Sequence, residues 1–304
     1  MEHSDAVVVF GTPRKLPKAA NLDGRVAVLD IAFAAGEGGG ASFDKVTRPF
    51  IEGLGHRLAV WVDHHDHVRH AQFRDDERFV LATKAQHGAC PEMVTEELVR
   101  RTGPVSTVVC HNDFDGLYSA AKWLRGGLEP YPGADDDARC VDTRVGTPSE
   151  LGQLLDQALR SSFDEALRHR VVRFLVGGAS DAQELAGFTE AAAAFARKLA
   201  VTRDVAEQHY VIHGNTALCD LEGVQISSPG YDRTELLLMG QARARVAVVA
   251  DGQSVTMATG FESGINFLTL LGVTGGMPTV LSVSRGQLPR VIEALRGAGL
   301  YTGA

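Results

Sequence analysis

Three side chains that can bind a metal ion stand together in this 304-residue chain, at Asp63-His64-His65. They follow directly on the apolar run from Leu58 to Val62, which is typical of a buried strand. Open α/β sheets assemble their ligand sites at the carboxyl ends of strands. Carboxylate and imidazole together are ligands for zinc, manganese or iron. The stretch therefore predicts a metal site, and the alternative is a solvated loop that is rich in histidine.

A second set of such residues, His111, Asp113 and Asp115 followed by Gly116, comes directly after the apolar run 105–110. Residues two apart on an extended backbone share a face, so the three side chains can converge on one point. The glycine permits a tight turn before a helical pattern begins. A loop that caps the following helix would explain one aspartate, but not two carboxylates in register with a histidine.

Two further aspartates end short apolar runs and are candidates for the same site. Asp30 follows the strand predicted at 25–29, and Asp142 follows a shorter apolar step. In the alternative interpretation Asp30 binds its own backbone in a turn. Asp142 would then pair at the surface with Arg139 or Arg144.

The elements that position these residues predict an α/β protein with a mainly parallel sheet, flanking helices and a smaller α/β domain at the C-terminal end. The predicted domains are 1–203 and 204–304, because the chain becomes rich in β-type runs after about Asp204. A hairpin is predicted at Asp251-Gly252. Gly36 to Gly40 predicts a linker or lid, and Asp135 to Asp137 predicts a solvated turn. The predicted strands are 7–10, 25–29, 58–62, 105–110, 210–213, 245–249, 254–258 and 279–283, and the predicted helices are 43–54, 91–101, 117–124, several within 149–203, 233–241 and 287–296.

Composition narrows the class of protein and of ligand. The chain is 44% hydrophobic and 22% charged, which is typical of a soluble globular protein. Its net charge of −8 argues against binding long duplex nucleic acid, although a bound metal can supply positive charge for a small phosphorylated ligand. The four cysteines form no C-x-x-C pair and predict reduced thiols in a cytoplasmic protein. Neither a signal peptide nor an apolar run long enough to cross a membrane is expected.

Taken together, Asp30, Asp63-His64-His65 and the His-x-Asp-x-Asp-Gly pattern from His111 to Gly116 resemble the DHH phosphoesterase superfamily. Its members include RecJ-type exonucleases, oligoribonucleases, cyclic-dinucleotide phosphodiesterases and manganese-dependent pyrophosphatases. The region with Tyr231-Asp232-Arg233 and Gly275-Gly276 is similar to the DHH-associated domain. The resemblance implies a metal-binding catalytic domain in 1–203 and a substrate-binding domain in 204–304.

The chain departs from the family pattern in two places. The His/Asp/Asp motif follows the strand-end aspartate and the Asp-His-His tripeptide, whereas in the family it precedes them. Either the catalytic domain is circularly permuted, or the motif was acquired again on another strand. The family loop Gly-Gly-Gly-His reads here Gly275-Gly276-Met277-Pro278, without the histidine that would touch the substrate.

The resemblance also implies two divalent metal ions as cofactors, with manganese favoured by the ligand types. His111 and Asp113 would bind one ion, His64 and Asp115 the other, and Asp30 would bridge them. The resemblance implies that Asp142 replaces the family's last aspartate ligand. It also implies a catalytic tripeptide of Asp63, His64 and His65, in which His65 contacts the substrate phosphate and Asp63 orients an imidazole. The far end of the substrate would be held by Arg233, Gly275 and Gly276.

The function expected from these residues is hydrolysis of a phosphodiester or phosphomonoester by a metal-activated water. The acidic surface favours short oligonucleotides, cyclic dinucleotides or nucleoside bisphosphates as substrates. An inorganic pyrophosphatase or polyphosphatase would use the same metals. A nucleotide sensor without catalysis is the other alternative, motivated by the altered loop and motif order. The sequence leaves the oligomeric state open, with a homodimer as one option.

Overall fold

The computed structural model describes residues 6–35, 42–162, 164–228 and 230–303. By its internal contacts the chain divides into two units. The first unit comprises residues 1–192 together with Thr274–Gly276, and the second comprises 193–273 together with 277–304. The lid predicted at Gly36 to Gly40 lies outside the described residues.

Five parallel strands form the sheet of the first unit, which confirms the predicted α/β class. Up to His111 the chain forms the strands β1 (Val7–Gly11), β2 (Val26–Leu29), β3 (Leu58–Asp63), β4 (Asp66–His67), β5 (Phe79–Leu81) and β6 (Thr107–His111). The sheet order is β1-β6-β2-β3-β5, so β6 lies between two strands that precede it in the chain. All of β2 is buried, because helices cover both faces of a parallel sheet.

The helices of the first unit pack on both faces of this sheet. They are α1 (Arg48–Leu54), α2 (Glu96–Thr102), α3 (Phe114–Leu124), α4 (Ala134–Thr143), α5 (Glu150–Ser161), α6 (Glu165–Val176) and the start of α7 (Ala182–His209), with a π-helical turn at Phe43–Thr47 and 3-10 turns at Ala19–Asn21, Gly55–Arg57, Val68–Phe73 and Cys90–Met93. Ala27 and Leu29 of β2 face the core under α3, α5 and α6. Val26 and Val28 alternate to the opposite face, where α1 packs.

Two local predictions were wrong. Asp135 to Asp137 form the first turn of α4 rather than a solvated turn, and acids there are favourable to the helix dipole. Asp137 is buried and accepts a hydrogen bond from the backbone N–H of Ser149 at 2.6 Å. The helix predicted at 91–101 is broken into a 3-10 turn and α2, because Thr95 caps α2 by accepting from the Leu98 N–H at 3.1 Å.

The second unit contains a mixed five-stranded sheet in the order β12-β10-β9-β8-β7. Its elements are β7 (Tyr210–His213), β8 (Thr216–Asp220), α8 (Arg233–Gln241), β9 (Val246–Ala250), β10 (Ser254–Thr259), α9 (Phe267–Leu271), β12 (Val280–Ser284), a 3-10 turn (Arg285–Gln287) and α10 (Leu288–Gly297). Antiparallel pairing of β9 with β10 confirms the hairpin predicted at Asp251-Gly252. No prediction was made for β8 or α9. Within the described ranges, no helix combines the length and apolar character needed to traverse a bilayer.

A short two-stranded sheet completes the first unit. Its strand β11 (Gly275–Gly276) pairs antiparallel with β4, with Gly275 opposite His67 and Gly276 opposite Asp66. The backbone N–H of Val68 also donates to the carbonyl of Thr274 at 3.1 Å. The two glycines that were predicted to lie in the substrate-binding domain therefore belong by contact to the first unit.

Candidate metal centre

The three central strands of the parallel sheet deliver the candidate ligands to one edge. His111 is the last residue of β6, Asp30 follows β2 directly, and Asp63 is the last residue of β3. Because β6, β2 and β3 are neighbours and parallel, their carboxyl ends lie side by side. Asp115, in the first turn of α3, brings Oδ2 to 3.3 Å from His64 Nε2. The two motifs thus meet, although many residues separate them in the chain.

Three groups of side chains at this edge could each hold a metal ion. They are Asp30/His111/Asp113, His64/Asp115/Asp142 and Asp30/His64/His65, and within each group the ligand atoms lie within 4.8 Å of one another. Asp30 joins the first group through Oδ2, 3.8 Å from His111 Nδ1, and reaches His64 Nε2 from Oδ1 at 3.2 Å. One carboxylate therefore faces both of the positions implied for an ion.

The ring of His64 is oriented in the way that metal-binding histidines are. Its Nδ1 is 2.9 Å from the carbonyl oxygen of His87, which can only accept, so Nδ1 carries the proton and donates. In a neutral ring Nε2 then presents a lone pair. That lone pair faces carboxylate oxygens of Asp30, Asp115 and Asp142 at 3.2, 3.3 and 3.6 Å. Lone pairs do not face each other in this way without a cation or a proton between them.

Asp30 is the least satisfied of the buried acids. It is 1% exposed, and neither of its carboxylate oxygens makes a hydrogen bond to the rest of the described chain. Burial, followed by the charges of Asp115, Asp113 and Asp63, raises the pKa of Asp30 well above its ordinary value. Its backbone also has a φ of 57°, a left-handed conformation that non-glycine residues seldom adopt. The strained backbone and the unsatisfied buried carboxyl group together indicate a functional position.

Neighbouring ligands support each other's charge. Burial alone would raise the pKa of Asp115, but the neighbouring His64 ring and the charge of Lys84 hold that pKa below its usual range. Burial likewise opposes the charged form of His111, yet Asp113 at 2.6 Å raises the pKa of the ring above its ordinary value. These neighbours therefore favour the charged form of Asp115, and Asp113 favours the protonated ring of His111.

Asp63 and His65 form a second arrangement beside the ligands. Asp63 is fully buried, and its Oδ1 lies 2.8 Å from His65 Nδ1. Burial would raise the pKa of Asp63, but His65 brings it below the ordinary value. Burial lowers the pKa of His65, against the attraction of Asp63. The carboxylate of Asp63 thus contacts the imidazole of His65, and its role in orienting that ring for catalysis stays a prediction.

Two hydrogen bonds fix the turn that carries His111 and Asp113. Asp113 caps α3 by accepting from the backbone N–H of Gly116 at 3.3 Å. Arg168, on α6 and 6% exposed, donates from Nε to the carbonyl of Asn112 at 2.8 Å. Arg168 was not predicted from the sequence, since a basic residue inside an amphipathic helix gives no sign that it reaches a distant turn.

Asp142 reaches the site from a helix rather than from a strand end. It lies near the end of α4, and its side chain is 15% exposed. The surface pairing considered for it is not observed, because Arg139 donates to Glu92 at 2.7 Å and Arg144 lies 3.7 Å from Asp156. Asp142 instead contacts Lys84.

Lys84 is a further residue of this site that was not predicted from the sequence. It follows β5, and only 2% of its side chain is exposed. Its Nζ forms an ion pair with Asp142 Oδ2 and lies 3.4 Å from His64 Nε2. Burial lowers the pKa of Lys84, against the attraction of Asp115, Asp30 and Asp113. The signal that would have found it is the rule already applied to Asp30, namely a polar residue just after a strand of a parallel sheet.

The charge balance of this edge fits a divalent cation. Five carboxylates converge here, from Asp30, Asp63, Asp113, Asp115 and Asp142, and Lys84 supplies one ammonium among them. Burial and the other acids disfavour the charged form of Asp30, and a divalent cation held here would stabilise that form. Oxygen and imidazole ligands without a thiolate suit manganese, with zinc, cobalt, magnesium or iron as substitutes.

Comparison with known proteins gives little beyond these residues. No family model matches the chain, and no curated protein matches it. Among solved structures, the pGpG-specific phosphodiesterase PggH from Vibrio cholerae is similar, with 12% sequence identity and a TM-score of 0.37. The match covers 52% of this chain and 64% of that chain, so it spans less than two thirds of the other protein. The function proposed below rests on the site residues themselves.

The three residues predicted to hold the far end of a substrate occupy different surroundings. Arg233, at the start of α8, forms an ion pair with Asp251 within the second unit. Gly275 and Gly276 pair with β4, two and one residues beyond His65. A Cβ added to Gly275 would lie 2.1 Å from Cδ2 of His67, so only glycine fits this approach. Their contact with a substrate stays a prediction.

Replacing Gly275 with alanine is expected to separate β11 from β4 and to disorder the segment that follows His65. The added Cβ would also lie 2.9 Å from the carbonyl oxygen of Asp66, which is backbone and cannot swing away. Hydrogen exchange of the Val68 amide, which bonds Thr274, should accelerate by about tenfold or more, since a lost pairing of 1.4 kcal/mol corresponds to that factor. Gly260→Ala is the control, because nothing lies within 4 Å of its added Cβ. An unchanged exchange rate in Gly275→Ala would show that β4 tolerates the methyl group.

Proposed function

We propose that this chain is a metal-dependent phosphohydrolase that cleaves a phosphodiester or phosphomonoester in a small nucleotide. The observation that supports it is that three possible ligand groups lie at one edge of the sheet and overlap. Asp30 belongs to two of these groups, and His64 belongs to two. Two ions held at such neighbouring positions form the arrangement used for in-line displacement at phosphorus. The short oligonucleotides, cyclic dinucleotides and nucleoside bisphosphates expected from the sequence remain the substrate classes to test.

In this proposal the ligands divide into two sets around Asp30. Asp30, His111 and Asp113 hold one divalent ion, and His64, Asp115 and Asp142 hold the other, with manganese the favoured metal. When bound, such ions polarise a phosphoryl oxygen and lower the pKa of a water ligand towards neutrality. The residues themselves fix the positions of those charges. Asp30, His64 and His111 stand at the ends of β2, β3 and β6, and the other three ligands belong to the start of α3 and the end of α4.

In this proposal His65 is the residue that accepts and donates a proton. Its Nδ1 is bound to Asp63, so the proton there is held and the other nitrogen, Nε2, is available to take one. Asp63 stabilises the imidazolium that results. A positively charged His65 would then bind an oxygen of the substrate phosphate, which is the role implied for it by the sequence.

A pocket of about 420 Å³ in the first unit offers space for the part of the substrate that does not react. It is lined by Ser42, Phe43, Asp44, His67, Val68, Arg69, Gln72 and Thr274. Arg69 lies over the Phe43 ring, with Cζ 5.7 Å from its centroid. Arginine, amide and hydroxyl groups in one pocket suit the hydrogen-bonding edges of a nucleotide, and binding of a base there would distinguish such a substrate from inorganic pyrophosphate.

The test is turnover of a panel of these nucleotides with manganese, by the wild type and by Asp113→Asn. Asparagine keeps the cap on α3 but removes a charged ligand. Loss of turnover by about 10³-fold is expected, because metal stabilisation of the transition state contributes several kcal/mol. Asp181→Asn is the control, since Asp181 accepts from the Gln183 N–H at 2.8 Å in a comparable helix cap. No turnover by the wild type, or full turnover by Asp113→Asn, would reject the proposal.

The same panel separates the alternatives. Release of phosphate from pyrophosphate or polyphosphate, with no cleavage of nucleotides, would identify an inorganic pyrophosphatase or polyphosphatase. Tight nucleotide binding by calorimetry with no product by chromatography would identify a sensor.

A further inference from the structure

Lys84 occupies a place in the site that the metal-ligand pattern does not require. Its ammonium forms an ion pair with Asp142 and lies 3.4 Å from His64 Nε2. Those are two of the three side chains in the group His64/Asp115/Asp142. A divalent ion in this group would need the same oxygen and the same lone pair that Lys84 now faces.

The other ligand group is free of this competition. In the described part of the chain, no ion pair joins Lys84 to Asp30 or to Asp113, the two acids of that group. The two groups also differ in exposure, because the side chains of His111 and Asp113 are 22% and 46% exposed, whereas that of His64 is fully buried. An ion can therefore reach the Asp30/His111/Asp113 group from solvent without displacing a resident cation.

An ammonium and a divalent ion cannot share one small cage. Two like charges about 4 Å apart repel by about 4 kcal/mol or more per unit charge product near a protein surface, which opposes simultaneous occupancy. A lysine head is carried on a flexible four-carbon stem, so it can withdraw when a stronger cation arrives.

We propose that Lys84 is a tethered cation that competes with the second metal ion for the His64/Asp115/Asp142 group. The first ion binds at Asp30/His111/Asp113, and the second binds only where its concentration suffices to displace the lysine head. The inference rests on the proposed metal-dependent function. It implies that activity is regulated by the metal concentration, because both ions would be bound only when that concentration is high. In this proposal Lys84 acts through the metal ions, so it is a positioning residue rather than a catalytic one.

The experiment counts metal ions rather than turnover. Manganese is titrated into the metal-free full chain by calorimetry, and electron paramagnetic resonance distinguishes single ions from coupled pairs. The wild type is expected to show two classes of site, and Lys84→Met to tighten the weaker class by at least about tenfold. Lys84→Arg retains the charge and is expected to leave the weaker class weak. If the wild type binds one ion at every manganese concentration and Lys84→Met binds two, the same competition is supported, and the lysine head is then never displaced.

Lys122→Met is the matched control, since Lys122 is also a buried lysine paired with an aspartate, Asp135. It should leave both classes of site unchanged, which separates competition from a general effect of losing a buried charge. Equal affinity of both ions in the wild type, or an unchanged weaker class in Lys84→Met, would overturn the inference. Metal binding as expected without hydrolysis of any nucleotide would instead reject the proposed function and leave the role of Lys84 standing.

Discussion

Asp30→Asn is expected to abolish turnover and metal binding and yet to make the metal-free protein more stable. Asp30 is 1% exposed, with neither carboxylate oxygen hydrogen-bonded among the described residues and with three other acids raising its pKa. An amide of the same shape removes this buried charge. Asparagine also tolerates the left-handed backbone that Asp30 adopts, so the strand end is preserved.

The expected gain in the free energy of unfolding is about 1–3 kcal/mol without metal, the range for burying an uncompensated polar group. Its pH dependence has a defined sign. A folded-state pKa above the ordinary value means that the folded protein keeps a proton that the unfolded chain releases, so wild-type stability falls as pH rises through the folded pKa of Asp30. The advantage of Asp30→Asn should therefore be absent in acid and should grow as pH rises.

Denaturant unfolding with and without manganese measures both effects. Manganese should stabilise the wild type, since it binds the folded state, and should leave Asp30→Asn nearly unchanged. Asp136→Asn is the control, because that side chain is 75% exposed. It should lower stability by no more than about 1 kcal/mol, the effect of one acid in the first turn of a helix, and should leave metal binding unchanged. A metal-free Asp30→Asn protein that is less stable than the wild type would mean that Asp30 makes a favourable interaction without any ion.

The sequence predicts which residues lie at this edge of the sheet, but it does not predict the order of the strands that carry them. Asp30, Asp63 and His111 each end an apolar run, and a parallel sheet must place such ends at one edge. Strand order, however, is a property of packing between distant segments. β6 lies between β1 and β2, a neighbour relation that no local pattern encodes. The motif that comes late in the chain consequently stands next to Asp30 in space.

Three other features of this site were not predicted from the sequence, each for its own physical reason. His87 holds His64 through a backbone carbonyl, so its side-chain type carries no signal for that contact. Arg168 reaches the Asn112 carbonyl from a helix whose pattern already explains it as amphipathic. Asp142 was proposed as a ligand, but its helix was not, because three successive acids were interpreted as a turn rather than as the favourable first turn of α4.

Gly116→Ala is expected to destabilise the first unit and to weaken metal binding, although alanine normally stabilises a helix. A Cβ at residue 116 would lie 2.4 Å from the carbonyl oxygen of His111 and 2.8 Å from its carbonyl carbon. These are backbone atoms at the end of β6, so the strand end and α3 must move apart. Overpacking of this kind costs about 1–3 kcal/mol, which outweighs the gain of about 0.5–1 kcal/mol from replacing glycine within a helix.

Because His111 and Asp113 flank the displaced turn, the ion at Asp30/His111/Asp113 should bind about 100-fold more weakly, the effect of misplacing such a group by about 1 Å. Calorimetric titration with manganese and denaturant unfolding measure the two losses. Gly297→Ala is the control, since Gly297 ends α10 and nothing lies within 4 Å of its added Cβ. That variant should keep full metal affinity and should gain stability by up to about 1 kcal/mol. If Gly116→Ala behaves as Gly297→Ala does, the close approach of α3 to His111 does not position the ligands, and the strand ends alone must hold them.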